Sequence, residues 1–375
     1  MQIKEIKLPG FLKNPSQFWL RLLIAFSAAV IFRYPFWLFQ FDAGDLQSLK
    51  PWDQGFKLMC TWDCGIYGSL SEIYDPKSSA FFPGFPLLIR FFHLLFPSLS
   101  TAAATLAVSN VFALLSGTLA LFVGESLWDA TQDRKILGFS KRSWFLLLAL
   151  SIFPESHFWM RGYSEPVFMA LLLAIVYFIR TEKWLWAAPF LGFISILRPQ
   201  GIWVAGLALV YLALSRLKRN AMLVVSVSFI TLIPLSLFFG WLWLKTGNPF
   251  YFYSLQSSGW GRKFNLLSGL EAHLPRFEAS TLYLYLSLFA AYRFLKRKEH
   301  AWKFLGILTF ALADLPLFVG GYYSYVRFMS VNLGLFILLS EVMEENPRWS
   351  SAILIWCISR LAVQTYHASF GLWVG

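Results

Sequence analysis

The stretch AMLVVSVSFITLIPLSLFFGWLWL, running from Ala221 to Leu244, carries no charged residue and decides the class of this chain. A helix that crosses the hydrocarbon of a bilayer needs about 20 mostly apolar residues, and this run supplies them. Outward from it, Ser143–Phe153, Pro166–Ile179 and Val331–Leu339 with their flanks read the same way. The whole chain is 57% hydrophobic and 14% charged over 375 residues, with mean hydropathy +0.57. A soluble domain carries about 25% charged residues. The expectation is an all-α polytopic membrane protein, a single integral domain over residues 1–375.

The apolar runs place spans at 17–40, 101–123, 143–160, 165–180, 184–198, 201–216, 221–244, 279–295, 302–320, 326–342 and 350–369, about ten or eleven crossings at this length per span. Phe81 to Phe96 is apolar but interrupted by Pro83 and Pro86, and reads as a juxtamembrane or re-entrant element. Phe18 to Phe41 is too long for the apolar core of a cleaved signal and reads as a first span that stays. With the N-terminus inside, every inner loop is basic: Lys4, Lys7 and Lys13; Arg134, Lys135, Lys141 and Arg142; Arg180 and Lys183; Arg216, Lys218 and Arg219; Arg293 through Lys303. That distribution obeys the positive-inside rule. It also accounts for the net charge of +12 without nucleic acid.

Two long outer loops follow, 41–100 and 245–278, rich in aromatics, Gly and Pro. Long outer loops beside short inner ones are where binding and chemistry sit. The polar motifs that suit neither lipid nor core all fall on this outer face: Thr61 to Tyr67, Pro154 to His157 with Tyr163 to Glu165, Arg198 to Gly201, Gly247 to Arg262, and Tyr322 to Arg327.

Asp63 lies between Trp62 and Tyr67. A carboxylate desolvated among aromatics can act as a base; the competing reading is a loop Asp that caps a helix. His157, Tyr163, Ser164 and Glu165 suit contacts to a sugar or phosphate, while Ser164 and Glu165 equally suit a helix N-terminus. Arg198 follows an apolar run and precedes Pro199. An arginine at that depth faces a cavity or pairs with an anion, or else snorkels to the headgroups. Asn248, Gln256, Trp260 and Arg262 sit among interfacial aromatics, and Arg327 opens the tenth span. Arg198, Arg262 and Arg327 thus offer cations at the height of a lipid phosphate. Asp53 and Glu72 are further carboxylates of the first outer loop. Cys60 and Cys64 read more readily as two small thiols than as a disulfide. No cysteine–histidine cluster has metal spacing, and no nucleotide-binding fingerprint occurs.

Trp62-Asp63 with Tyr67, Ala80 to Pro83, Pro86 to Arg90, Tyr163-Ser164-Glu165, Arg198 with Gly201, Gly247-Asn248-Pro249, Gln256 with Trp260-Gly261-Arg262, and Arg327 together resemble the PIG-V-type GPI mannosyltransferases and their prokaryotic relatives. The ordered match runs from about residue 60 to 330 of this chain. Cys64 stands where the pattern has Gly, and Ile66 where it has an aromatic. The resemblance implies a GT-C-type multi-helix bundle with juxtamembrane helices. It implies a glycosyltransferase that takes a sugar, classically mannose, from a polyprenyl-phosphate-linked donor, with Asp63 as the catalytic carboxylate. The acceptor would be a lipid, glycan or protein at the outer face of a bacterial or archaeal cytoplasmic membrane, or at the lumenal face of the ER in a eukaryote. The absence of an N-x-[ST] sequon with a permitted middle residue leans toward the prokaryotic relatives. No metal is required, although the acidic first loop leaves room for a divalent ion.

The rival expectation is a polyprenyl-lipid transporter or flippase without catalysis. It would need a polar path to both faces, whereas the inner loops read as plain Lys/Arg clusters. The lack of an internal repeat also weighs against the many transporters built from two related halves.

Overall fold

The computed structural model describes residues 15–45, 60, 62–128, 135–260, 279–318 and 325–369. The described chain is helical apart from one short hairpin, in which Lys135–Ile136 pairs with Phe139–Ser140. Helices α1 (Pro15–Asp45), α2 (Asp63–Glu72), α3 (Gly84–Leu95) and α4 (Thr101–Leu127) come first. Next are α5 (Lys141–Ile152), a 3-10 segment (Pro154–Met160), α6 (Glu165–Arg180), α7 (Trp184–Ser195) and α8 (Pro199–Arg216). Then come α9 (Ala221–Thr246), α10 (Tyr251–Trp260), α11 (Ala279–Leu295) and α12 (His300–Phe318). The described chain ends with α13 (Tyr325–Met329), α14 (Leu333–Glu345) and α15 (Pro347–Ser369).

Three of these helices are long and apolar enough to cross a membrane: Ser16–Tyr34 within α1, all of α4 and all of α9. A fourth crossing is available if the 3-10 segment and α6, bent by 104° at their junction, count as one. The quoted run 221–244 becomes α9, started by Asn220, whose side chain accepts the N–H of Leu223 at 3.0 Å. Such a cap satisfies one of the N–H groups that a helix start leaves free. Ser100 and Ser140 cap α4 and α5 in the same way.

Burial separates the helices. α6 is buried on every side over most of its length, as Val167, Phe168, Leu172, Leu173 and Ile175 are all fully covered. A helix apolar all round belongs in a core. It packs mainly on α4, whose Ala, Ser and Thr positions (Ala104, Thr105, Ser109, Ala113, Ser116, Ala120) are also buried. Small residues let helix axes approach closely where lipid offers no hydrophobic drive between helices. α9 instead exposes Phe229, Leu237, Trp243 and Leu244, a surface suited to hydrocarbon and not to water.

Several predicted spans are broken. The run 143–160 stops as α5 at Ile152, and a 3-10 segment takes over at Pro154. Proline lacks the N–H and clashes with the preceding turn. Arg33 of α1 is buried at this break and donates to the carbonyls of Leu150 and Ser156, each at 3.5 Å, with its guanidinium over the Trp159 ring. The run 326–342 likewise divides into α13 and α14, where Ser330 N–H turns back to the Arg327 carbonyl at 3.1 Å. The apolar stretch 81–96 forms α3, which has 12 residues and so spans about 18 Å, short of the roughly 30 Å of a bilayer's hydrocarbon.

Candidate functional site

Four of the charged residues singled out in the sequence meet at these breaks. Asp63 is the first residue of α2, and Glu165 is the first of α6. Arg198 lies between α7 and α8 in extended conformation, as a residue preceding a proline must. Arg327 lies in the short helix α13. Interrupted backbone at membrane depth is tolerated where protein covers it, and each break releases a side chain that an unbroken helix would hold along its own cylinder.

Arg327 pairs with both carboxylates, its Nε–H donating to Glu165 and an Nη1–H to Asp63. Arg198 Nη1 lies 2.7 Å from the same Glu165 oxygen, Oε1. Glu165 is fully buried, whereas the Asp63 side chain keeps 21% of its surface exposed. The set is therefore open on the Asp63 side and closed on the Glu165 side. Two carboxylates offset two guanidiniums, which is what permits the burial: one uncompensated charge here would cost several kcal/mol. Glu165 Oε2 has no hydrogen-bond partner among the described residues.

Aromatic rings wall the cluster. The Arg327 guanidinium stands 4.4 Å from the Tyr163 ring centroid and 5.6 Å from that of Phe158, and Arg198 is 5.5 Å from Phe328. Such contacts retain favourable energy in a desolvated site. Tyr67, one turn along α2 from Asp63, packs edge-on against Phe81 and Phe85, and its hydroxyl lies 3.4 Å from Ser164 Oγ. Burial, reinforced by the Asp63 charge, raises the Tyr67 phenol above its ordinary range; burial likewise raises Tyr163. Both remain neutral hydroxyls able to donate or accept. Ser109 of α4 donates to the carbonyls of Trp159 and Tyr163, at 3.1 Å each, and so holds the turn that leads to Glu165.

The turn bearing Arg198 is fixed from the start of α3. Gly84 N–H donates to Ile196 O at 2.8 Å, and a Cβ at Gly84 would sit 2.8 Å from that oxygen. Only glycine permits the approach. α3 thus ties the loop that carries Asp63 to the loop that carries Arg198.

The structure brings Asp63, Tyr67, Tyr163, Ser164, Glu165, Arg198 and Arg327 together. Ser164 occupies the position before α6 but makes no side-chain cap, and Glu165 is the common anchor of two arginines. Trp62 is half exposed beside Asp63. His157 is buried, with Nδ1 3.0 Å from the Pro154 carbonyl, and belongs to the 3-10 segment. Asn248 spends its side-chain oxygen on Phe250 N–H, 2.9 Å away, in a local turn. Gln256 donates to Ala80 O at 2.8 Å and fastens α10 to the first loop. Of the other carboxylates, Glu72 lies at the far end of α2 and accepts from Thr101 Oγ1 at 2.6 Å. Asp53, Arg262 and the Trp260 side chain lie outside the described residues.

Two readings need correction. Cys60 and Cys64 form a disulfide: Cys60 lies ahead of α2 and not on it, so its sulfur can reach Cys64. The arginines at the other end of the bundle are not plain clusters either. Arg142 pairs with Glu344, Arg297 with Glu341 at 2.6 Å, and Arg21 and Lys135 with Glu125 at 3.4 Å each. Arg33 was missed in the sequence, although an arginine inside the first apolar run was the signal that could have found it.

No family model, curated protein or solved structure matches this chain.

Proposed function

We propose that the chain is a multi-pass membrane glycosyltransferase of the GT-C type, with about ten or eleven crossings at the expected span length. It moves a sugar, with mannose the first candidate, from a polyprenyl-phosphate donor to a lipid, glycan or protein acceptor on the extracytoplasmic face. The observation that supports this reading is the pairing of a partly open carboxylate, Asp63, with Arg327 beside Arg198. A base and two phosphate-binding cations then lie within one side chain's reach of each other.

In this mechanism Asp63 takes the proton of the acceptor hydroxyl as its oxygen attacks the anomeric carbon. The bond from that carbon to the phosphate oxygen breaks on the opposite face, so the configuration inverts. The electron pair leaves on the phosphate, whose charge is stabilised by Arg198 and Arg327, with Arg262 as a third candidate. Donor binding exchanges part of the carboxylate pairing for phosphate, since an arginine fork suits both anions. Trp62, half exposed beside Asp63, would stack on a sugar face, with Trp260 a second candidate; the covered Tyr67 offers only its hydroxyl, and Tyr163, Ser164 and Asn248 are further polar candidates. The scheme uses no metal. Confinement of the donor to the bilayer is the physical reason for framing such a site with helices.

The test is turnover in proteoliposomes holding purified protein and polyprenyl phosphates bearing mannose, glucose or aminoarabinose, with native lipid and protein extracts as acceptors. The proposal expects transfer of one of these sugars to a new product. Movement of the intact donor between leaflets without any product would replace it with the transporter reading.

A further inference from the structure

Asp63 sits inside a ring closed by a disulfide. The bridge joins Cys60 to Cys64, enclosing Trp62 and Asp63, and Trp62 takes a positive φ of 56°. A bulky residue rarely adopts that conformation without local enforcement. Cys64 is fully buried. Its sulfur lies against Gly162, whose φ is +73° and where any Cβ would collide with Cys64 Sγ. Gly162 in turn begins the turn Gly162-Tyr163-Ser164-Glu165, so the bridge touches both limbs of the ion-pair set: the segment carrying Asp63 and the segment carrying Glu165.

A bridge over a sequence separation of 4 constrains the unfolded chain far less than one closing a long loop. Its main effect is therefore local. The residues it fixes are those on which the Asp63–Arg327 pair depends.

We propose that the Cys60–Cys64 bridge is the positioning element of the site. It holds Asp63 against Arg327, couples that carboxylate to the Glu165 turn, and makes the site sensitive to reduction. Reduction breaks the Sγ–Sγ bond and leaves two thiols: a dithiol gives two electrons and two protons and ends as its own disulfide, whereas a phosphine gives two electrons and ends as its oxide, with water supplying the oxygen and both protons. The Trp62-Asp63 segment then relaxes, and the packing of Cys64 on Gly162 loosens. Displacement of a reacting group by about 1 Å costs on the order of 10²-fold in rate. The catalytic half of this inference rests on the transferase reading, whereas the coupling of the two segments does not.

The experiment uses the full chain with Cys357→Ser, which removes the one free cysteine outside the pair. Maleimide labelling and hydrogen exchange are followed before reduction by a phosphine, after it, and after reoxidation. Expected are no label before reduction and two after it. Exchange should rise over both 62–72 and 162–168, with none over 105–120, and reoxidation should reverse the rise. In a protein that transfers sugar when oxidised, kcat should fall by about 10- to 10²-fold on reduction, while the melting temperature stays nearly constant and activity returns on reoxidation. Two labelled thiols without reductant would overturn the proposal, as would unchanged exchange at 162–168 or undiminished kcat after reduction. If neither redox state transfers sugar, the transferase reading falls, and labelling and exchange alone decide the coupling.

Discussion

The two ends of the bundle use the same residue types in different ways. At one end, Asp63, Glu165, Arg198 and Arg327 come from four helix breaks and meet under cover, with Glu165 fully buried and the two arginines 5–7% exposed. At the other, Arg142 with Glu344 and Arg21 and Lys135 with Glu125 pair with side chains 12–47% exposed, and Glu341, itself covered, pairs with Arg293 and Arg297, whose side chains are 28–29% exposed. α4 runs between the two ends and has 27 residues, about 40 Å of helix. Exposed pairs are typically worth about 0–1 kcal/mol. A buried set must recover a desolvation penalty that its own attraction barely covers. Such a set adds little net stability, so the proposed function rests on it as a site, and that contrast is where the reading can be broken.

The largest effect is expected at Glu165. Glu165→Ala leaves two buried guanidiniums sharing only Asp63 and should destabilise the protein by about 3–5 kcal/mol, read as a lower melting temperature in detergent. A shift no greater than that of a far-end variant would place the cluster among ordinary surface pairs. Arg198→Lys comes next. It keeps the charge but loses the planar fork, so the fold should stand while donor turnover falls by about tenfold, roughly 1.4 kcal/mol. Unchanged turnover would leave phosphate recognition to Arg327 and to residues outside the described set. The smallest effect belongs to Glu344→Gln, which breaks the part-exposed pair with Arg142, whose side chains are 31% and 16% exposed: about 1 kcal/mol of stability at most and no change in transfer. A large loss of transfer there would tie the two ends together and revive a path through the protein.

The contrast also explains what the sequence could disclose. Long apolar runs announce their helices, and 221–244 and 101–123 become α9 and α4 almost at the predicted bounds. Arg198 was legible because Pro199 forces the residue before it out of a helix. The breaks at Pro154 and after Met329 were not, because their polar interruptions, Pro154 to His157 and Ser330 with Asn332, are short enough to sit inside an apolar run of span length. The pairing of Asp63 with Arg327 joins positions 264 residues apart, a proximity that only tertiary packing creates. Motif reading placed Glu165 between a cap and a ligand contact, and packing makes it an anchor. Asn248 and Gln256 show the reverse: polar residues in a suggestive stretch whose side chains bond backbone, Asn248 to Phe250 in a local turn and Gln256 to Ala80 across the fold. Cys60 and Cys64 looked like thiols at helical spacing, yet the helix starts only at Asp63.

The most direct test of the central claim is the kcat for sugar transfer from polyprenyl-phosphate mannose by Asp63→Asn, beside wild type, in membranes with equal folded protein. The substitution keeps shape and removes the base. The account predicts a fall of about 10²–10⁴-fold with donor KM little changed, because the arginines still hold the phosphate. Equal kcat in the two proteins would contradict it and take the proton-accepting role away from Asp63.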